Sequence, residues 1–349
     1  MAIQQHRCQP SLMSLPLFSA SRPALHVRYQ PVDQLDAALA DPATLAVFRF
    51  AAADAAADGR VINVGLRAHG PDSLEVWRGG ATTLTGNNGA VRWMRNGALE
   101  LACVEVEEPA GTDIAAAAEQ AYRLLRQHQA GSATPHLLRV WNYLDAITEG
   151  DGDDERYRRF CVGRVRGLEQ VDTGRLPAAT CIGRYDGVRR LQVYWLASGH
   201  AGQPLENPRQ ISAFHYPRQY GPQPPSFARA MLPDPRCQLP LLLSGTAAIT
   251  GHASLHLGSP TQQLQETLAN IASLLQAGRA HTGTLPAHLD AGSPMKVYVR
   301  EHQDLEAVGA LLAQRLPAGV PCLILHAEVC RRELLVEIEG MHGMGAVLA

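Results

Sequence analysis

One acid in this chain lacks a counterpart. The segment Glu333-Leu334-Leu335-Val336-Glu337-Ile338-Glu339 resembles, in pattern, the earlier segment Arg190-Leu191-Gln192-Val193-Tyr194-Trp195-Leu196. Only the later copy carries a carboxylate at its centre, which marks it as the copy that kept or gained chemistry. Strand alternation puts Val336 and Ile338 on one face and Leu335 and Glu337 on the other. The aliphatic pair suits a helix-packed face, so Glu337 points from the open face of the sheet. A carboxylate there is either a solvated surface group, as charged strand residues usually are, or a reactive one.

Other residues could hold an anion. Tyr157 and Arg164 stand seven apart in an expected helix and share one face. That spacing fits a common ligand and a solvated face equally well. Tyr216 and Arg229 lie in a connection from Gly199 to Pro240 rich in Pro, Gly, Gln and Arg. It is too long for an ordinary link, and a loop held by rigid domains is a common home for binding residues. Arginine suits carboxylates because its planar fork donates two parallel hydrogen bonds. His252 and His256, four apart, have no acidic partner at useful spacing and read as structural or surface residues. The seven cysteines are scattered without a CxxC pair, as expected of reduced thiols in a cytoplasmic protein without zinc.

These residues need a scaffold, and the pattern supplies it twice. In the second half, Gln238 to Ile249 is a strand. A helix follows, with Ser259 as N-cap, Pro260 in the first turn and Gln262 at the capping-box position. Its apolar stripe is Leu264, Leu268, Ile271 and Leu275, with Gly278 as its stop. Met295–Val299 is a strand, Leu305–Leu316 a helix, and Cys322–Ala327 and Leu334–Glu339 the last strands. The first half repeats this order: strand Leu99–Val106, then a helix capped by Thr112 with stripe Ile114, Ala118, Ala121 and Leu125. Strand Leu137–Tyr143, helix Glu155–Leu168 and strands Ala178–Ile182 and Leu191–Leu196 complete it. The expected fold is α/β (α+β), two domains that each pack helices on one face of a mixed sheet. The boundary is expected at 205/206, with residues 1–205 carrying an N-terminal extension. Residues 1–95 hold strands (Val61–Leu66, Ser73–Arg78) but no clear third copy.

Composition limits the function. The 349 residues are 46% hydrophobic and 18% charged, enough for two domains with a core. A balance of 31 basic and 33 acidic side chains argues against nucleic acid or an anionic membrane as partner. No apolar run is long enough to span a bilayer. Leu12-Met13-Ser14-Leu15-Pro16-Leu17-Phe18 is too short and interrupted for a signal peptide.

Several ordered segments resemble a known family. Ser244-Gly245-Thr246-Ala247, the helix Gln262–Leu275 and the ending Leu335-Val336-Glu337-Ile338-Glu339 look like the RidA/YjgF module. From about residue 95 the chain is similar to the chorismatases, which are built on that module. The resemblance is carried by Glu155–Arg164, Glu206–Pro217, Ser226–Ala230, Leu243–Ala247 and Cys330–Glu337. It is weak before residue 95. Gly245 and Cys330 match the members that release hydroxybenzoate, and most of all the bacterial members that form both 3- and 4-hydroxybenzoate together with pyruvate.

The resemblance implies that Tyr157 and Arg164 line one side of the substrate and Tyr216 and Arg229 the other. Chorismate has two carboxylates, a ring hydroxyl and an enol ether. Protonating the terminal methylene of that ether weakens its bond to the ring, and Glu337 is the expected general acid and later base. It needs a raised pKa, most simply from desolvation. Water attack would then give pyruvate and a dihydroxy diene acid. Displacement by the neighbouring ring hydroxyl would give an arene-oxide-like intermediate and a hydroxybenzoate. Gly245 and Cys330 would leave the ring room to shift while denying water a position. Cys330 is either a proton-transfer group or a small buried apolar residue. Arg218 and Tyr220 are left behind the binding groups. No metal or organic cofactor is expected, and one chain holding several modules suits a monomer. Two other readings stay open, a hydrolytic chorismatase and a non-catalytic sensor of aromatic metabolites. Imine hydrolysis of the RidA type is disfavoured, because Pro321-Cys322-Leu323-Ile324 lacks the arginine those enzymes use.

Overall fold

The computed structural model describes residues 25–51, 57–108 and 113–344. The segment Leu12–Phe18 and the expected cap Thr112 lie outside them. The first sheet contains β1 (Leu25–Pro31), β2 (Thr44–Phe50), β3 (Val61–Asn63) and β4 (Ser73–Gly79), with helix α1 (Leu35–Ala40). The second contains β5 (Leu84–Asn88), β6 (Val91–Asn96), β7 (Leu99–Glu107), β8 (His136–Asp145), β9 (Ala178–Arg184) and β10 (Arg190–Ser198), with α2 (Ile114–Ala130) and α3 (Arg156–Leu168). The third contains β11 (Gln203–Leu205), β12 (Ala230–Leu232), β13 (Leu241–Ala247), β16 (Met295–Val299), β17 (Cys322–His326) and β18 (Val336–His342), with α4 (Pro260–His281) and α5 (Leu305–Arg315). A small hairpin, β14 (Ile249–Thr250) and β15 (Ala253–Ser254), follows β13.

The duplication is confirmed in topology. The second sheet runs β5-β6-β7-β10-β8-β9 and the third β11-β12-β13-β18-β16-β17. In both, the last pair is parallel and the others antiparallel. A parallel pair needs a crossover, which α3 and α5 supply. Residues 25–79 add what the sequence pattern hid: order β1-β4-β2-β3, with the same antiparallel, antiparallel, parallel sequence of pairings. This is a shortened third copy. Its α1 has six residues and its β2-to-β3 link spans only residues 51–60, so no helical stripe announced it.

Helix starts follow local chemistry. Ser259 caps α4 by accepting from the Gln262 N–H, and Asp113 caps α2 through the N–H groups of Ala115 and Ala116. Gly278 does not end α4, which continues to His281. It lies inside the helix, where a β-carbon would stand 3.2 Å from Leu285 and 3.3 Å from Leu241, so its smallness serves packing.

Each large sheet buries one face under its helices. Val193 and Trp195 join the α2/α3 cluster, and Val336 and Ile338 join the α4/α5 cluster, as alternation predicts. The opposite faces are not open. They meet one another in a central core that includes Phe48, Trp77, Trp141, Tyr194, Leu242 and Tyr298. At its heart Tyr143 and Tyr298 share a hydrogen bond of 2.9 Å between hydroxyls. Tyr143 pairs in register with Gln192, and Tyr298 with Glu337. Matching the copies at this tyrosine pair makes Gln192, not Tyr194, the counterpart of Glu337. The two-residue difference preserves the facing of every side chain, so alternation alone could not detect it. No described helix is long and apolar enough to cross a membrane.

Candidate active site

A cavity of about 530 Å³ opens where the second and third sheets meet. Tyr157, Arg164, Tyr216, Arg229, Gly245, Cys330 and Glu337 all line it. The sequence therefore named seven residues from distant segments that the fold brings to one place.

The second-sheet wall comes from α3 and β9. α3 lies against α2 at unusually short range, because Gly163 and Gly167 leave no side chain between them. A β-carbon on Gly163 would stand 2.1 Å from the Ala115 carbonyl oxygen. This contact turns Arg164 toward the cavity, where its guanidinium lies 5.0 Å from the Tyr122 ring centroid. Tyr157 stands two turns earlier on the same face, stacked on Phe160, and burial pushes its phenol well above the usual range. Thr180 and Cys181 on β9 complete the wall.

The third-sheet wall comes from the long connection, β13, β18 and the loop before β18. Arg229 donates to the Tyr216 hydroxyl at 2.6 Å and to the Ile211 carbonyl at 2.9 Å. Arg300 holds the loop by donating to the carbonyls of Val329, Arg331 and Leu334. Val329 and Leu334 anchor it among Ala247 and Ile249, which presents Cys330 and Arg331. Ser244 seams the two walls, since its hydroxyl accepts from the Ala179 N–H and donates to the Ala228 carbonyl.

Three guanidiniums at this site lack a carboxylate within ion-pair distance among the described residues. Arg164 and Arg229 are each 4% exposed. Arg164 Nε, Arg229 Nε and Arg331 Nη2 are buried without a hydrogen-bond partner among the described residues. Uncompensated buried cations are costly, so the arrangement suits an anion with more than one negative group. Sequence reasoning missed Arg331. Its guanidinium sits 3.9 Å from the Tyr220 ring centroid and 5.0 Å from that of Tyr216. A turn arginine beside a second arginine gives no periodic signal. Tyr220 also lines the cavity, and its hydroxyl bonds His252 Nδ1 at 3.0 Å. Arg218 instead pairs with Asp153 on the surface. His256 faces Glu266.

Glu337 is only 5% exposed. Burial raises its carboxyl to a pKa of about 8. The nearby charge of Glu339 adds to the shift, while Arg139, Arg229 and Arg300 oppose it. At neutral pH the group is therefore mainly a protonated acid inside a cationic cavity. Cys330 is a neutral thiol, pushed up first by burial and then by the charge of Glu337. The site offers a proton donor, a pocket with several cations and phenol hydroxyls, which together suit acid-initiated cleavage of an anionic substrate.

The family model "Chorismatase FkbO/Hyg5-like, N-terminal" matches residues 75–197. A chorismatase of Streptomyces hygroscopicus is 37% identical over 273 residues, covering 76% of this chain and 78% of the relative. A 3-hydroxybenzoate synthase of Streptomyces hygroscopicus is 36% identical over 215 residues, covering 59% of this chain and 63% of the relative. A crystal structure of chorismatase superposes with a TM-score of 0.82 at 32% identity, covering 93% of this chain and all (100%) of the other.

Proposed function

This chain belongs to the chorismatase family, and we propose that it cleaves chorismate to pyruvate plus 3- and 4-hydroxybenzoate. The observation that carries the reading is Glu337, a buried acid with a pKa of about 8, in a cavity where Arg164, Arg229 and Arg331 have no carboxylate within ion-pair distance among the described residues.

Arg164, Arg229 and Arg331 bind the two carboxylates, and the tyrosines orient the ring and its hydroxyl. Glu337 gives its proton to the enol-ether methylene. The ether bond to the ring then breaks, and its electron pair leaves with the oxygen as the carbonyl of pyruvate. The neighbouring ring hydroxyl attacks the vacated carbon and passes its proton to the Glu337 carboxylate. Opening of the resulting oxide and loss of a ring proton give a hydroxybenzoate, with no net water. Gly245 lets the Glu337 carboxyl lie flat against the wall, and Cys330 fills the position from which water would attack. A neutral thiol is no base, so Cys330 acts by shape or by donating a proton.

Two modules meet at the site, with the boundary near residue 205. The N-terminal one supplies Tyr157 and Arg164, and the C-terminal one the remaining groups. Since three sheets in one chain already bury one another, the reading takes a cytoplasmic monomer as the working unit. Incubation with chorismate alone, with pyruvate and aromatic acids measured together, tests it. Pyruvate with a non-aromatic diol would replace the product assignment with hydrolysis. Binding without pyruvate would replace the enzyme with a sensor.

A further inference from the structure

Next but one to Glu337 on β18 lies a second buried carboxylate that the reaction above does not use. Glu339 is 1% exposed and faces the same way. Its Oε1 accepts from Trp141 Nε1 at 3.0 Å, the Tyr298 hydroxyl at 2.7 Å and Lys296 Nζ at 2.9 Å. Its Oε2 accepts from Arg139 and from the Thr180 hydroxyl. Lys296 also reaches Glu75 Oε2 at 2.9 Å, and Glu75 Oε1 accepts from the Trp77 indole at 2.9 Å. Two acids and two bases from all three sheets thus form one balanced cluster.

The cluster touches the site through Thr180. The Thr180 hydroxyl oxygen accepts from the Gly245 N–H at 3.0 Å, and Gly245 abuts the Glu337 carboxyl. Buried ion pairs are a poor source of stability compared with apolar packing, so their placement behind the acid calls for another role. We propose that Glu339 is a positioning residue: held by Arg139, Lys296 and Thr180, its fixed negative charge keeps the Glu337 carboxyl protonated, and its Thr180 link seats that carboxyl against Gly245. Glu75 gives the shortened N-terminal copy a part in this, by holding the far end of Lys296.

The electrostatics agree. Burial alone would raise Glu339, yet Lys296, Arg139 and the Thr180 hydrogen bond hold it below the usual carboxylate range. It stays ionised, and a like charge nearby disfavours ionising Glu337. The largest opposing charges on Glu337 are Arg139 from β8, Arg229 from beside β12 and Arg300 from beyond β16, and Arg164 from α3 and Arg331 from the loop before β18 line the same cavity. Tyr157, Cys181 and Cys330 also face it, each pushed up by burial.

The inference rests on Glu337 as proton donor, but its test does not need turnover. Infrared difference spectra against a Glu337→Gln protein, recorded across pH, follow the Glu337 carboxyl directly. In Glu339→Gln its titration is expected about one pH unit lower or more, a tenfold loss of proton affinity. Glu339→Gln with Lys296→Gln removes one acid and one base together, provides a second variant should the single one fold poorly, and is expected to shift the same way. An unmoved titration in a folded variant overturns the proposal. Chorismate turnover separates the two ideas. An active enzyme with an unmoved titration discards the positioning role alone, and a shifted titration in a protein inert to chorismate keeps the positioning and discards the reaction.

Discussion

The Glu337 carboxyl rests against the α-carbon of Gly245, so closely that a β-carbon at 245 would stand 2.0 Å from Glu337 Oε1 and 2.9 Å from its Cδ. Gly245→Ala therefore forces the acid to swing by about an ångström, a displacement that can cost on the order of a hundredfold in rate. The expected result is a fall in kcat and an altered product mixture, with KM little changed because the arginines remain. Steady-state kinetics with product analysis check it, and an unchanged kcat and mixture would contradict it.

Glu337→Gln is nearly isosteric, and Gln192 already fills the matching place in the second sheet. The variant should fold and lose roughly 10²-fold or more of its turnover. Pyruvate release beside a circular dichroism spectrum decides. Near-normal turnover would remove Glu337 from the mechanism.

The raised pKa of Glu337 also has a stability consequence. A carboxyl ordinarily near 4.5 and held at about 8 in the folded protein keeps its full contribution below about 4.5. That contribution is lost as pH rises toward and through about 8. The unionisable Glu337→Gln protein escapes the loss. Its Tm relative to the parent should rise between about pH 4.5 and about pH 8, the window this linkage spans. In the free enzyme kcat/KM should fall above about pH 8, as the acid loses its proton. A Tm difference independent of pH would argue against the buried acid.

Cys330→Ala removes a neutral thiol from a loop anchored independently by Arg300, Val329 and Leu334. It should change the ratio of products more than the rate of chorismate loss. Chromatography of the products reads this directly, and an unchanged mixture would reduce Cys330 to packing.

Much of this molecule was legible because strands and helices announce themselves by period. The strand Met295–Val299 and the stripes of α2 and α4 were read with few errors. The facing of Glu337 was also correct, since Val336 and Ile338 do pack under helices. What lies across that face was not legible. A strand cannot say whether its polar side meets water or another sheet, and here three sheets converge on it. The Gln192 register was lost because a slip of two residues leaves alternation intact. Arg331 and Thr180 were missed because one sits in a turn and the other is an ordinary strand residue until Gly245 and Glu339 are placed beside it.

The central claim is acid-initiated cleavage of chorismate in the Glu337 cavity. Its most direct test is the purified chain incubated with chorismate, without metal or cofactor, followed by quantitation of pyruvate and of 3- and 4-hydroxybenzoate. Pyruvate equal to the sum of the two aromatic acids is the expected result. Chorismate recovered unchanged would contradict the claim.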